Sequence, residues 1–183
     1  MATTGTDSPA SASTRWAKAA ASGQAVGFVD GWAAGIGYGF QVYFDFSAYS
    51  DMAIGLGFMF GLHLPINFFS PYKAHSIRDF WRRWHISLSR FLRDYLFIPL
   101  GGSRHGMLCT IAALMATMTL GGLWHGAGWT FILWGSLHGF ALILHRLWSK
   151  SGRVMNSAAA WLITFLFVNF AWVMFRAEDI EAA

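Results

Sequence analysis

His125 is the first residue whose type and position suggest chemistry. It lies in the stretch GGLWHGAGW, residues 121–129, within an apolar region that has no acid, lysine or arginine before Arg146. In a hydrocarbon environment a polar side chain faces a bundle interior or a water-filled cavity, and it is a functional candidate. A neutral imidazole can accept a proton from a hydroxyl group at physiological pH. The alternative is a core histidine that hydrogen-bonds to a neighbouring helix, and the residues alone leave both interpretations open.

The surroundings of His125 are rich in glycine. A residue without a Cβ permits close backbone approach to a ligand or to a neighbouring helix. Four such residues flank the histidine, namely Gly121, Gly122, Gly126 and Gly128.

His85, in WRRWHISLS (residues 81–89), is the second candidate. We expect the adjacent Arg82 and Arg83 to lower its pKa, which keeps the ring neutral or makes it a hydrogen-bond donor to a substrate. The alternative is an interfacial histidine on a solvated basic face. The two arginines and Arg78 can hold a phosphate or carboxylate through bidentate hydrogen bonds. They are equally consistent with positive charge that marks a cytoplasmic loop.

The element that must position His85 is an amphipathic basic helix. Ser76 and Asp79 fit a capping box, which predicts a helix from about Ile77, and Asp79 and Arg83 are spaced as an ion pair. The helix is predicted to end before Pro99. At helical spacing one polar stripe would follow it: Arg78, Arg82, His85 and Ser89. Such a helix lies in the membrane interface or lines an internal polar cavity.

Composition indicates which solvent surrounds these residues. The 183 residues are 55% hydrophobic, 17% aromatic and only 12% charged, whereas a soluble domain is about 25% charged. We therefore expect a lipid-embedded protein. The basic residues cluster between membrane-length apolar segments, which favours lipid headgroups, a cytoplasmic loop or an anionic substrate over nucleic acid as their partner.

Several chemical classes find no support in the sequence. The single cysteine, Cys109, has no partner for a disulfide or a CxxC site. His138 and His145 lack a third ligand at metal spacing, so no metal site is predicted. The sequence contains no G-x-S-x-G elbow, P-loop or HExxH motif, and a Ser-His-Asp hydrolase is therefore unsupported.

The predicted organisation is a disordered leader at residues 1–24 and a membrane domain at 25–183. Apolar segments long enough to span a bilayer occur at about 26–44, 47–66, 107–124, 128–148 and 157–175. The fold class we predict is all-α: a multi-pass transmembrane helical bundle with the amphipathic or re-entrant basic helix between its second and third spans.

Three strings occur in one order with sensible spacing, and together they resemble a known family. They are YFDFSAYSDMAIGLGFMFGLHLPINFFSPY, IRDFWRRWHISLSRFLRDYLFIPLGG and LGGLWHGAGWTFILWGSLHG. They closely resemble the membrane-bound O-acyltransferase (MBOAT) family, in its alginate O-acetyltransferase-like branch. The resemblance extends from about Asp30 to the C-terminus. Because family members are longer, we expect the chain to be a fragment that contains the signature core.

The resemblance implies an acyltransferase with its active centre in a tunnel that reaches into the bilayer. The family's catalytic histidine falls on His125, as general base, and its second polar position falls on His85. It also implies substrate binding by neighbouring arginines and aromatic residues, for which we name Arg78, Arg82, Arg83, Trp84 and Trp124.

The implied reaction is transfer of an acetyl or other short acyl group to hydroxyls of a cell-envelope polysaccharide such as alginate. The expected donor is acetyl-CoA or a carrier-protein thioester, without a bound cofactor or metal. The expected location is the bacterial inner membrane, with lipid, donor and polysaccharide as partners and no nucleic acid. Two alternatives remain: an acyl conduit that supplies a separate periplasmic acetyltransferase, and an inactive truncated remnant.

Overall fold

The computed structural model describes residues 27–177, and the predicted disordered leader at 1–24 lies outside them. Within this range every regular element is helical, as predicted. The six α-helices are α1 (Phe28–Met59), α2 (Ile77–Arg83), α3 (Ile86–Leu92), α4 (Gly106–His125), α5 (Trp129–Lys150) and α6 (Ser157–Arg176). A 3-10 turn at Pro71–Lys73 precedes α2, and a π-helical turn at Arg93–Phe97 follows α3.

The first helix differs from the prediction. Two separate spans were expected at 26–44 and 47–66, but the structure has one continuous helix, α1. No glycine or proline interrupts residues 44–47, and the Ser47 hydroxyl donates to the carbonyl of Phe44 within the unbroken helix (3.3 Å). The helix ends where Gly61 adopts a left-handed conformation (φ 73°) and the Leu62 N–H donates back to the Gly57 carbonyl.

Two of the long helices, α4 and α6, are long and apolar enough to cross a membrane. Their bounds lie within two residues of the predicted spans at 107–124 and 157–175. The segment predicted at 128–148 forms α5, which returns alongside α4 after a short turn.

Helices α4 and α5 are in backbone contact. A methyl group added at Gly122 would overlap the carbonyl oxygen of Phe131, and one at Gly135 would overlap that of Met118. Glycine at both positions therefore allows the two backbones to approach more closely than any residue with a Cβ would permit. The close contact fixes the end of α4, which is where His125 lies.

Tyr72 joins the first and last helices. Its hydroxyl donates to the Gly39 carbonyl of α1 (2.6 Å) and accepts from the Trp172 indole of α6 (3.1 Å). Its own carbonyl accepts from the indole N–H of Trp161 (2.9 Å). Burial raises the pKa of the Tyr72 phenol above its ordinary value, so the hydroxyl remains a donor. Around this tie lies an aromatic core built mainly by Phe80, Trp81, Trp84, Trp134 and Trp172.

The start of α2 agrees with the prediction. The Ser76 hydroxyl accepts from the N–H of Asp79 (3.1 Å), which caps the helix. One turn later the Arg83 Nε donates to the Asp79 carboxylate (2.9 Å). The capping residue and the i,i+4 ion pair are therefore both confirmed.

Candidate active site

His85 lies at a break in the helix that the sequence pattern predicted to continue towards Pro99. The prediction of one helix is wrong here, because α2 ends at Arg83 and α3 begins at Ile86. His85 adopts a left-handed backbone conformation (φ 41°, ψ 59°). Such a conformation is uncommon for a residue other than glycine and is a reason to look for function.

Hydrogen bonds from a neighbouring loop stabilise the break. The Asn67 carbonyl accepts from the N–H of Ile86 (3.0 Å), and the carbonyl of Arg83 accepts from the N–H of Phe69 (2.9 Å). The side-chain oxygen of Asn67 accepts from the N–H of Ser87 (3.2 Å). These long-range partners replace helical bonds and make the left-handed residue stable.

The break separates the polar stripe into two sites. Arg78, Arg82 and Ser89 line one large pocket, whereas His85 lines a different, smaller cavity. The side chain of His85 therefore leaves the basic face to which its helical spacing would assign it.

The smaller cavity, called here the two-histidine cavity, contains both candidate histidines. Its volume is about 180 Å³, and all six helices or their ends contribute to its wall. The lining residues are Val42, Phe46, Trp81, Trp84, His85, Leu88, His125, Trp134, Trp172 and Phe175. Within this lining only the imidazoles can accept a proton, since the other side chains are aliphatic or aromatic.

The ring of His85 is held by aromatic contact. It packs edge-to-face against Phe46, with 4.8 Å between ring centroids, and its Nδ1 lies 3.4 Å from the Ser87 hydroxyl. Burial, assisted by the nearby His125, lowers the pKa of His85 to about 4. The ring is therefore neutral at physiological pH, as predicted, but the cause is burial rather than the neighbouring arginines.

His125, the last residue of α4, reaches the same cavity from the other side of the fold. Its ring packs edge-to-face against Trp134 (5.4 Å between centroids) and Phe175 (5.2 Å). The chain turns at Gly126, where an added Cβ would lie 2.6 Å from the Phe131 ring. The two candidate catalytic residues are thus brought together, and a hydroxyl entering the cavity meets a neutral His85 beside His125.

The larger pocket, called here the basic pocket, has a volume of about 770 Å³. Six cationic side chains line it, namely Arg78, Arg82, Arg90, Arg93, Arg146 and Lys150. No acidic residue lies in its lining, although Arg93 pairs with the exposed Asp94 beside it (2.7 Å). A concave surface of this charge attracts an anionic ligand.

The remaining predicted site residues are placed as follows. Trp84 is buried in the wall of the two-histidine cavity. Trp124 is 67% exposed and touches the His125 ring (5.0 Å between centroids). Arg83 lines neither cavity, because it pairs with Asp79 and lies over the Phe69 ring. Residues 27–177 contain no cluster of three or more side chains that could hold a metal ion.

Sequence reasoning missed most of the cavity wall. Phe46, Trp134, Trp172 and Phe175 were not singled out, since aromatic residues on an apolar helix can face lipid as readily as a cavity. One signal was available: Trp134 and His138 are four residues apart on α5, so both lie on one helix face.

Comparison with known proteins shows the family of the chain. The sequence matches the profile of the membrane-bound O-acyltransferase family over residues 15–178. It is 57% identical over 160 residues to a peptidoglycan O-acetyltransferase of Helicobacter pylori, covering 85% of this chain and 30% of the relative. It is 53% identical over 156 residues to the probable alginate O-acetylase AlgI of Pseudomonas aeruginosa, covering 84% of this chain and 30% of that relative.

A more distant relative is named for the transfer of a different acyl group. A teichoic acid D-alanyltransferase of Streptococcus thermophilus is 32% identical over 126 residues, covering 65% of this chain and 30% of the relative. The chain thus spans about a third of the length of these relatives. Since the family profile covers most of its length, the chain belongs to the membrane-bound O-acyltransferase family.

Proposed function

We propose that the chain carries the reaction centre of a membrane-embedded O-acyltransferase. The reaction is transfer of an acetyl or other short acyl group to a hydroxyl of a cell-envelope polysaccharide, in a multi-pass protein of the bacterial inner membrane. The observation that carries the proposal is the shared cavity of His85 and His125. The relatives named as peptidoglycan and alginate O-acetylating proteins support the acyl group and the class of acceptor.

In the proposed mechanism His125 is the general base. It accepts the hydroxyl proton as the acceptor oxygen attacks the carbonyl carbon of an acyl thioester. The tetrahedral intermediate then expels the thiolate, which takes the proton back from the His125 imidazolium, so the products are an ester and a free thiol. General acid–base assistance of this kind accelerates a reaction by about 10²–10⁴-fold.

His85 has the complementary role of a neutral hydrogen-bonding partner. Its low pKa of about 4 keeps it uncharged beside the base. A neutral imidazole can donate one hydrogen bond to the thioester carbonyl or orient the acceptor hydroxyl. The two histidines then hold both reactants within one small cavity, and such positioning removes much of the entropic barrier of a two-substrate reaction.

The anionic part of the donor is proposed to bind in the basic pocket. Acetyl-CoA and an acylated carrier protein both bring phosphate groups, and Arg78 and Arg82 can bind phosphate by bidentate hydrogen bonds. Both arginines belong to α2, whose Trp81 also forms part of the two-histidine cavity. One short helix thus borders the proposed donor site and the proposed reaction site.

The experiment that tests the proposal uses the purified chain in lipid nanodiscs. It is incubated with a labelled acetyl donor, either acetyl-CoA or an acetylated carrier protein, and with a polysaccharide acceptor. We expect labelled ester on the acceptor and at least a 100-fold loss of rate in His125→Ala. His63→Ala is the matched control, because His63 is exposed and lies outside the lining of both cavities.

Two results would contradict direct transfer. In the first, label reaches the polysaccharide only when a separate periplasmic transferase with its own serine nucleophile is added. This result would instead identify an acyl conduit. A stable, monodisperse chain that yields no ester with either donor, with or without that partner, would identify the inactive remnant.

A further inference from the structure

Trp81 lies in the wall between the basic pocket and the two-histidine cavity. It is the one residue that lines both spaces, in a chain for which the structure describes residues 27–177. Its side chain is buried and packs against Trp134 of α5, with 6.0 Å between ring centroids. A molecule that passes from one space to the other at this point must pass the Trp81 indole.

The position of the Trp81 indole is set by His138. The indole N–H donates to Nδ1 of His138 (3.2 Å), in a bond buried from solvent. His138 is only 1% exposed and lines neither space. Because its Nδ1 accepts, the neutral ring carries its proton on Nε2. His138 therefore acts on the two spaces through its neighbours, and Trp81 is the neighbour to which it hydrogen-bonds.

The ring of His138 is itself held on several sides. It packs against Trp134 (4.8 Å between centroids) and Phe167 (5.3 Å) edge-to-face, and it is stacked with Phe80 (6.3 Å). These contacts come from α2, α5 and α6. The acceptor atom is thus fixed in the fold, whereas the Trp81 indole stands at a boundary between two open spaces.

We propose that Trp81 is a gate between the basic pocket and the two-histidine cavity, and that His138 is the positioning residue that holds the gate closed. The purpose we infer is exclusion of water from the acyl donor until the acceptor is present. The inference rests on the proposed function, because it requires that the acyl donor binds in the basic pocket. In the closed state the cationic pocket and the histidine pair belong to two separate spaces, with Trp81 in both linings.

The chemistry that the gate prevents is hydrolysis of the donor. A water molecule that reaches His125 can lose a proton to it and attack the thioester carbonyl. The carbon–sulfur bond then breaks, the thiolate takes the proton from His125, and the products are a free carboxylic acid and a thiol. The wasteful reaction uses the same base as transfer, so only access distinguishes them.

Three substitutions separate the hydrogen bond from simple packing. His138→Phe keeps an aromatic ring but removes the acceptor, and Trp81→Phe keeps a ring but removes the donor. His138→Gln removes the ring but supplies an amide oxygen as acceptor. Because one hydrogen bond is involved, the two phenylalanine substitutions should not add in the double variant.

The first measurement is the ratio of donor hydrolysis without acceptor to acyl transfer with acceptor. We expect this ratio to rise about 3- to 10-fold in His138→Phe and in Trp81→Phe, as the loss of one hydrogen bond would allow. The double variant should match either single variant, and His138→Gln should stay near the parent. The gate would be overturned if both phenylalanine variants left the ratio unchanged while His138→Gln slowed hydrolysis and transfer equally. That result would show that His138 and Trp81 have a packing role only.

The second measurement does not depend on catalysis. Leu88→Cys, in a Cys109→Ser background, places a thiol in the two-histidine cavity. Its rate of labelling by a negatively charged methanethiosulfonate should rise several-fold when His138→Phe is added. If labelling rises but neither hydrolysis nor transfer occurs in any variant, the gate stands and the proposed function fails. An unchanged labelling rate would refute the gate, whatever the activity.

Discussion

His85 and His125 reach one cavity from opposite helix ends: His85 immediately precedes α3, and His125 is the last residue of α4. The two positions differ electrically. The carboxyl end of a helix carries partial negative charge, which stabilises a cation placed there. The helix end alone therefore favours a positive charge on His125 over one on His85. In the proposed mechanism His125 is thus the histidine that takes up the proton, and His85 stays neutral beside it.

The low pKa of His85 predicts a specific pH dependence of stability. In the folded chain the ring stays neutral down to about pH 4, whereas in the unfolded chain it takes up a proton near pH 6.5, so between these values the unfolded state binds more protons. Stability should therefore fall as the pH falls from about 6.5 to 4. After allowance for its partial exposure, we expect His85 to contribute on the order of 1–2 kcal/mol to this loss.

The variant that checks this is His85→Asn, since asparagine tolerates a left-handed backbone. The midpoint of detergent-induced unfolding, measured at several pH values between 7.5 and 4.5, should depend less on pH in this variant than in the parent. His63→Asn is the control and should keep the parental slope. Equal slopes for the parent and His85→Asn would show that His85 titrates normally in the fold.

Two arginines of α2 should affect donor binding, whereas the third should not. Arg78→Gln and Arg82→Gln should each raise the KM for an anionic acyl donor by about 10-fold or more, because a charge-assisted hydrogen bond is lost. Arg83→Gln should change this KM less than about twofold, since Arg83 pairs with Asp79 outside both cavities. Steady-state kinetics at fixed ionic strength would measure all three. A KM increase in Arg83→Gln as large as in the other two would contradict the placement of the donor.

Gly122→Ala tests the contact between α4 and α5. The added methyl would overlap the Phe131 carbonyl oxygen and lie 3.1 Å from the Cα of Gly135, both of which are backbone atoms. The helices must separate, with an expected loss of about 1–3 kcal/mol or more. Because His125 lies one turn further along α4, kcat should fall as well.

The matched control for this change is Gly55→Ala in α1. Nothing lies within 4 Å of a Cβ at Gly55, and alanine is favoured over glycine in a helix by about 1 kcal/mol. Thermal unfolding in detergent should show Gly122→Ala clearly below the parent and Gly55→Ala at or slightly above it. Equal melting temperatures for the two variants would mean that the helices are not in backbone contact.

Tyr72→Phe should destabilise the chain although it removes only one oxygen atom. The change leaves the Trp172 indole N–H and the Gly39 carbonyl without the partners that the hydroxyl supplied. We expect a loss of about 2–3 kcal/mol, and a lower kcat because Trp172 lines the two-histidine cavity. Tyr95→Phe, at a residue 69% exposed, is the control and should be neutral. Similar unfolding midpoints for both variants would argue against the tie between α1 and α6.

Local features of the fold could be predicted from sequence. The start of α2 follows from Ser76, Asp79 and Arg83, whose partners are within four residues in the chain. The spans that became α4 and α6 follow from length and apolarity alone. Both kinds of prediction depend on short-range physics, which a single sequence contains in full.

The left-handed His85 could not be predicted in this way. Its neighbourhood has the periodicity of one continuous helix, and the break depends on hydrogen bonds from Asn67 and Phe69, residues in a distant loop. The predicted separation of the first two spans was also wrong. Two spans were expected from the length of the apolar segments, but nothing between residues 44 and 47 stops a helix.

The histidines of the candidate site could be predicted from the sequence, but the aromatic residues that line the cavity could not. His125 and His85 stand out because each is a polar residue in an apolar or aromatic setting. Trp81, by contrast, is one of ten tryptophans in the chain, and only the structure shows that it borders two spaces and bonds to His138. Which aromatic residue faces a cavity is decided by helix rotation and packing, and a hydropathy pattern does not record these.

The contact between Gly122 and Gly135 has a consequence for how this site can be redesigned. Because main-chain atoms set the spacing of α4 and α5 there, the backbone of His125 is held next to α5 separately from the contacts of its ring with Trp134 and Phe175. Val42 and Leu88, which line the cavity from α1 and α3, can therefore be exchanged without changing that main-chain contact, and we expect the backbone of His125 to keep its place. The main-chain contact thus separates the placement of the His125 backbone from the size of the Val42 and Leu88 side chains.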